Sequence, residues 1–457
     1  MTLMPLRPDL PFSPLRRGLL LGGGGAAFLS ACGGGGAEDD GGSALAIREF
    51  SADRSSYFVG ERAQIVVRYR GASARIEPGI GEVASGVVIT TDALVSRQRL
   101  QLVVSAPGQP SVSRELWLDV RYRDRWQSAD ALTSSLHAAV TTAAGQVLVI
   151  GGSRGIGILS DGVDRFDPAS GRFQRIGALS SGRSNHSAVR LGDGRILVCG
   201  GLTASSEGAF AELVDEDSGH TQRAGTMVEP RVRHAATLLA DGRVLVSGGG
   251  ARDSAELWDP ATRRWRRVAA RMAHDRQFHT ATALADGRVL IAGGLRQTGG
   301  DYVFAELFDP RTETFTPLAT GITQQRQLHA AHLCSDHGVL VFGGEAAQAT
   351  VEPLASVLRF DPATNRFTNQ APLLTPRTLV ASVRLPGDEV LLIGGEVPGD
   401  LASSSGVHWR GGDQRVLAPL PGGRVWHTVN ALPDGRVVVI GGQNADGNYV
   451  AQTVVYE

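Results

Sequence analysis

At 457 residues and a formal net charge of −1, the chain is long enough for two or three domains and has no bulk attraction for nucleic acid or anionic lipid. Glycine is abundant at 59 residues, and short strand-like runs are regularly punctuated by turn residues, as in an all-β protein. No lysine occurs, so all 45 basic residues are arginine, which excludes chemistry that needs a lysine amine, such as a Schiff base or a phosphate-loop lysine.

Arg16 and Arg17 precede GLLLGGGGAAFLSAC, a weakly apolar stretch of signal-peptide length, too short and glycine-rich for a membrane span. It ends in Leu29-Ser30-Ala31-Cys32, which resembles a bacterial lipobox. The resemblance implies that residues 1–31 are a lipoprotein signal peptide and that Cys32 carries the lipid. Arg16-Arg17 also resembles a twin-arginine export signal. Residues 32–43 are Gly-rich and read as a flexible tether. Gly33 stands where an Asp tends to retain such lipoproteins at the inner membrane, so the implied location is the outer membrane. Cys199 and Cys334, in apolar runs of distant repeats, read as buried free thiols.

Residues 44–122 contain about six alternating runs. In the last, Leu116, Leu118 and Val120 face one way while Glu115, Trp117 and Asp119 face the other. The pattern resembles a small Ig-like β-sandwich and implies a spacer between lipid and the next domain.

From residue 123 an apolar strand followed by Gly-Gly recurs seven times, from VLVIGG at 147–152 to VVVIGG at 437–442, with 45 to 51 residues between successive copies. Three companions stay in phase. An Arg-x-x-His lies upstream, as at Arg231–His234; an Asp-Gly turn follows, expected to be a two-residue type I′ hairpin; an aromatic-Asp-Pro turn comes downstream. The register resembles the kelch family and implies a seven-bladed β-propeller over residues 123–457. The last repeat stops at its third strand, TVVYE, and an orphan strand at 124–132 is expected to complete it, closing the wheel.

Weighed as chemistry, most motifs dissolve into this framework. VLVIGGSRGIG at 147–157 has the glycines of a dinucleotide-binding turn, yet it is in phase with six other Gly-Gly pairs and is followed by loop and strand rather than helix. DEDSGHT at 215–221 resembles a sialidase Asp-box but occupies an ordinary turn. Galactose oxidase, whose propeller such bacterial repeats resemble, holds copper with two tyrosines and two histidines, one tyrosine cross-linked to a cysteine. Here the blades offer Tyr302, Tyr449 and Tyr456, no Tyr-His dipeptide, and a Cys199 directly ahead of a structural Gly-Gly. His137, His186, His234, His279, His329 and His427 are spread round the wheel and read as framework, each packing its own blade; His332 lies outside the repeat phase. No metal, cofactor or catalytic residue is assigned.

The arginines that enter each inner strand are the remaining candidates. Asp164, Glu212, Glu256 and Glu306 are placed to pair with them in the first four repeats, but the position is apolar at Leu358, Val407 and Val454. Arg377 and Arg424 therefore lack the usual partner; Glu345 and Glu396, directly after Gly-Gly, are expected to substitute, with only Gln443 in the seventh repeat. Arg424 beside Trp426, then Arg377, are the candidate ligand contacts, under the long loops of the last three repeats. The resulting expectation is an envelope-anchored, non-enzymatic module for a glycan or protein ligand. The alternatives are a galactose-oxidase-like or glycan-processing enzyme with its site at the propeller mouth, and a structural part of an envelope assembly.

Overall fold

The computed structural model describes residues 45–204, 208–298, 302–322, 325–347 and 351–457. Cys32, Arg16-Arg17, the signal-like segment and the tether lie outside the described residues. Among the described residues every regular element is a β-strand.

The first 75 or so described residues form two sheets around one core. One sheet holds Ala46–Ala52, Gln64–Arg70 and Val87–Thr90; the other is built on the hairpin of Gln98–Ser105 with Val112–Arg121. Alternation turns Ile65, Val67, Leu100, Leu102, Val104 and Leu118 inward. Trp117, beside Leu118, is 46% exposed, and the Arg97 guanidinium covers it 4.3 Å from the ring centroid.

Seven four-stranded antiparallel sheets follow. In the third, Ala235–Leu238, Val244–Ser247, Ala255–Asp259 and Arg264–Arg267 pair in chain order, and five others repeat that order. The seventh, Thr428–Ala431, Val437–Ile440 and Gln452–Tyr456, takes its outer strand from Trp126–Ala131, with Tyr456 opposite Trp126. The inner strands touch in a closed ring, the seventh meeting the first, which is the arrangement of a β-propeller. The four residues before each Gly-Gly are wholly buried because neighbouring sheets cover both their faces. Aromatic pairs join third to outer strands, with Phe308–Phe315 at 4.9 Å between centroids and Trp126–Tyr456 also at 4.9 Å in the closing sheet.

The Gly-Gly pair is the joint between consecutive sheets. The second glycine's N–H donates to the carbonyl of the arginine that opens the next inner strand, at 2.7–3.0 Å from Gly152→Arg183 through Gly395→Arg424. Gly442 closes the circle onto Ser134 at 2.9 Å. Both glycines have positive φ, and a Cβ on Gly151 would lie 2.8 Å from both Arg183 O and His186 Cε1. The spacing of the pairs therefore reflects a packing requirement of the wheel, not a phosphate cradle.

The Asp-Gly turns differ from the expected type I′. Only the glycine is left-handed, with φ of 84–91° at Gly194, Gly242, Gly287 and Gly435. Leu239 N–H donates to Arg243 O and Gly242 N–H to Leu239 O, at 2.8 and 3.0 Å, so each loop is a three-residue hairpin with glycine at the bulge. The aspartate side chain accepts from the arginine N–H two residues on, which stabilises this geometry over the two-residue turn. One such turn seats the N-terminal sheets: Tyr122 Oη donates to Gly435 O at 2.7 Å, and Val59 and Val95 pack where a Gly435 side chain would stand. The seat is on the face opposite the loops that follow Gly-Gly.

Gly151→Ala is expected to lower the denaturant midpoint far more than Gly287→Ala, whose absent Cβ meets nothing within 4 Å. The latter should cost only the left-handed backbone penalty of about 1–2 kcal/mol, and equal losses would show that the joint carries no special packing.

Candidate functional site: the propeller mouth

The residue preceding the histidine slot is left-handed in all seven repeats. Leu136, Asn185, Arg233, Phe278, Leu328, Leu379 and Trp426 have φ between 52 and 60°. A left-handed non-glycine residue costs roughly 1–2 kcal/mol, so the geometry must be imposed from outside the residue. At five of the seven positions backbone bonds between repeats impose it. Asn185 N–H donates to Leu136 O at 3.1 Å, Arg233 to Asn185 at 3.2 Å, Phe278 to Arg233 at 3.1 Å, Leu328 to Phe278 at 3.3 Å, and Leu136 to Trp426 at 3.2 Å.

This belt surrounds a cavity of about 350 Å³ on the axis, lined by all seven belt residues. Across it the Trp426 and Phe278 rings stand 6.1 Å apart at 39°, and the Arg233 guanidinium lies 4.9 Å from the Phe278 centroid. The mouth is thus an apolar, aromatic rim with a polar arc at Asn185 and Arg233. Of these residues the sequence reading singled out only Trp426. The available signal was a slot of varying residue type between arginine and histidine positions that repeat.

The structure places the predicted arginines beneath the mouth, not in it. Arg424 is 0% exposed, and its Nη1 donates to Gly441 O and Gln452 O at 3.3 and 2.9 Å. Arg377 donates to Gly394 O and Ser405 O at 3.1 and 3.3 Å. Each arginine staples its own Gly-Gly, as Arg231 does through Gly248 O at 2.7 Å. Arg183–Glu212, Arg231–Glu256 and Arg276–Glu306 add buried ion pairs at 2.7–2.9 Å. In the first repeat Ser134 replaces the arginine, and Asp164 pairs instead with Arg154 at 3.1 Å. No carboxylate pairs with Arg326, Arg377 or Arg424 among the described residues, and burial lowers each pKa to about 10.

Glu345 and Glu396 do not substitute as those partners. Glu345 accepts from Gln327 Nε2 at 2.7 Å, and the Glu396 backbone pairs with Thr378. Gln443 donates to Ser135 Oγ at 3.3 Å. These three sit at equivalent positions, bridged to the residues that precede the belt or lie beside it, and so stand on the mouth's own face. The structure brings Trp426 together with residues other than those expected, and leaves Arg424 and Arg377 as its buried support.

The histidines reach across the joint instead of packing only their own sheets. His137 Nε2 meets Thr428 Oγ1 at 2.8 Å, His279 meets Ser247 Oγ at 2.8 Å, His329 meets Thr280 Oγ1 at 2.9 Å and His427 meets Ile393 O at 3.1 Å, all on the preceding repeat. In the sixth repeat Val380 takes the place. Burial, aided by the neighbouring arginines, pushes His186, His234, His329 and His427 down to about 3, and burial pushes His137 down to about 4. His332 is bonded to Ser382 Oγ at 2.8 Å and is likewise pushed down to about 4.

No family model matches the chain, and no curated protein matches it. Among solved structures, the fold is similar to a fungal alcohol oxidase of the AA5 family, described as catalytically diverse within that family and solved in complex with copper. The TM-score is 0.62 at 16% identity, over 73% of this chain and 76% of that one. The likeness is one of fold, a β-propeller of the galactose-oxidase kind. It overturns the expectation of a non-enzymatic binding module, because the protein that shares the wheel is an enzyme, and it falls on the side of the enzyme alternative.

The residues present do not fit the two-tyrosine, two-histidine copper set. The mouth-lining residues include no tyrosine, and no Tyr-His dipeptide occurs in the chain. Five of the six imidazoles are bonded across the joints, and no group of three His, Cys, Asp or Glu converges among the described residues. Tyr302 is stacked on His274, Tyr449 bonds Ser153 Oγ, Tyr456 bonds Asp124, and Cys199 is buried against His234.

Two outcomes follow from these contacts. In the unfolded chain each histidine gains its proton as pH falls through about 6.5, whereas the folded imidazoles of the wheel stay neutral down to about 3–4. Stability should therefore be level above pH 6.5 and fall steadily from there towards pH 4, and a thermal midpoint unchanged over that window would contradict the burial. Glu306→Ala strands the buried Arg276 cation and should cost about 3–5 kcal/mol in equilibrium denaturation.

Proposed function

We propose that the chain is an enzyme acting on a hydroxyl-bearing substrate, an alcohol or a sugar, held in the propeller mouth. The observation that carries this reading is the aromatic–guanidinium belt around the axial cavity, in a fold similar to that of an alcohol oxidase. Trp426 and Phe278 offer flat apolar faces for the C–H surface of a sugar or alcohol, and the polar arc receives hydroxyl groups. Glu345 and Glu396 are the carboxylates at the mouth-face register, and their role in this reading is to take up or return a proton.

The same reading gives the seven sheets as blades of a kelch propeller over 123–457 and the N-terminal sheets as an Ig-like domain over 44–122. Residues 1–31 are the signal peptide, Cys32 the lipid site and 32–43 the tether, exported to the outer membrane by the twin-arginine or general route. The seat of the N-terminal sheets on the Asp-Gly face supports this arrangement, since it turns the mouth away from the tether and towards an extracytoplasmic glycan.

The test is turnover by the purified protein: peroxide release from primary alcohols and saccharides with and without added Cu(II), and sugar release from oligosaccharides. Trp426→Ala should lower kcat/KM at least about tenfold, and Glu345→Gln or Glu396→Gln should lower kcat. Saccharide binding without turnover under any of these conditions would overturn the reading.

A further inference from the structure

Among the described residues of the propeller, seven large apolar side chains are exposed, and six of them lie on the mouth face. Ile156, Ile158, Leu202 and Leu401 are in loops after Gly-Gly, and Val228 and Leu374 are in the connections between repeats that pack on those loops; none is in an Asp-Gly turn. Val228, Leu374 and Leu401 stand singly, which is ordinary for a protein surface. The other three gather in the first two repeats. Ser153–Gly155 and Ile158–Leu159 pair as a small hairpin that carries Ile156, 90% exposed, at its tip and Ile158, 60% exposed, beside it. Gly155 and Gly157 flank Ile156 and leave it unshielded, while Arg154 is turned to Asp164 at 3.1 Å. The hairpin is fixed directly behind the rim. Ser153 pairs with Ser135, next to Leu136 of the belt, and its Oγ meets the Tyr449 hydroxyl of the seventh repeat at 2.7 Å. Leu202 pairs with Ser184, next to Asn185. The belt itself is divided in the same sense: Phe278, Leu328, Leu379, Trp426 and Leu136 follow one another round the cavity without a polar residue. That apolar arc runs out at Leu136 onto the hairpin.

From this continuity we infer that the mouth takes a glycolipid-like amphiphile, a saccharide head in the axial cavity with a hydrocarbon tail that leaves over Leu136 onto Ile156, Ile158 and Leu202. The inference rests on the proposed function for the site but adds the substrate class. A head group stacked on Trp426 and Phe278 sends its chain over the rim, and the sector at Leu136 is where apolar surface continues outside the cavity. A hydrocarbon suits the hairpin because it needs no hydrogen-bond partner, and the isoleucine side chains offer none. Each methylene that leaves water there strengthens binding by up to about fourfold. A free sugar gains the cavity alone and leaves the hairpin bare.

Calorimetric titration of the intact protein with methyl, hexyl and octyl β-D-glucosides and β-D-galactosides, each below its micelle-forming concentration, and with 1-octanol tests the two-part recognition. Affinity should rise at least about tenfold from methyl to octyl, and 1-octanol, a tail without a head, should bind at least about tenfold more weakly than the better octyl glycoside. Ile156→Ser combined with Ile158→Ser should remove most of the rise and leave methyl-glycoside affinity within about twofold of the wild type. Val416→Ser, at a residue 60% exposed on an outer strand, should leave the rise intact, with thermal midpoint and circular dichroism confirming that each variant is folded. No gain with chain length in the wild type, a gain that survives the two hairpin substitutions, or 1-octanol bound as tightly as the octyl glycosides overturns the inference. So does a dimer of the ligand-free protein, seen by sedimentation, that the hairpin substitutions dissociate, since the hairpin then belongs to a second copy. Turnover of methyl glycosides with no gain from the tail sinks this proposal alone, whereas tail-dependent binding without turnover sinks the enzyme reading and leaves this one standing.

Discussion

The hydrogen bond from the second glycine of each Gly-Gly to the carbonyl of the next repeat's opening residue recurs at every joint of the wheel. The rest of the propeller follows from how closely that bond draws two sheets together. At such a separation only glycine fits on one side, and the gap that remains is filled by an imidazole bonded back across the joint. The arginine whose carbonyl accepts the bond uses its own guanidinium to hold the Gly-Gly of its own sheet. Joint, staple and wedge are therefore one device, and the closing strand Trp126–Ala131 lets it run round the circle without a free edge.

That device also makes the mouth. A chain that must deliver an arginine carbonyl to one neighbour and a histidine ring to the same neighbour three residues later has to turn sharply between them. It does so with a residue of positive φ, and seven such residues form the belt. At five of the seven positions the cost of the unusual backbone is offset by a bond that passes from repeat to repeat. Framework and rim thereby separate: the flanking positions are arginine and histidine, each in six of the seven repeats, while the slot between them is open to Leu, Asn, Phe, Arg or Trp.

Burying six arginines in the stapling positions is expensive, and the repeats handle it unequally. Three carry a buried glutamate partner; Arg326, Arg377 and Arg424 rely on carbonyls and, for the first two, serine hydroxyls. The missing carboxylates made Arg377 and Arg424 look available in the sequence. They are among the least accessible side chains of the molecule, because an arginine that has lost its acid still has the Gly-Gly carbonyl to hold.

Repeat phase, strand alternation and closure by the 124–132 segment were legible in the sequence, since each follows from local periodicity and chemistry that recur in register. The three-residue hairpin at Asp-Gly, the cross-joint reach of the histidines and the belt were not. They depend on which groups face each other once the circle closes, and a dipeptide or a lone Arg-x-x-His does not record that. Leu136 or Phe278 gives no local sign of a left-handed backbone; the neighbouring repeats impose it. By itself, then, the sequence determined an all-β wheel of repeats and the residues that hold its sheets together. Only the tertiary structure decided that Arg424 lies beneath the surface and that Arg233, Phe278 and Trp426 share the mouth, because proximity across the axis arises from ring closure and not from any spacing along the chain.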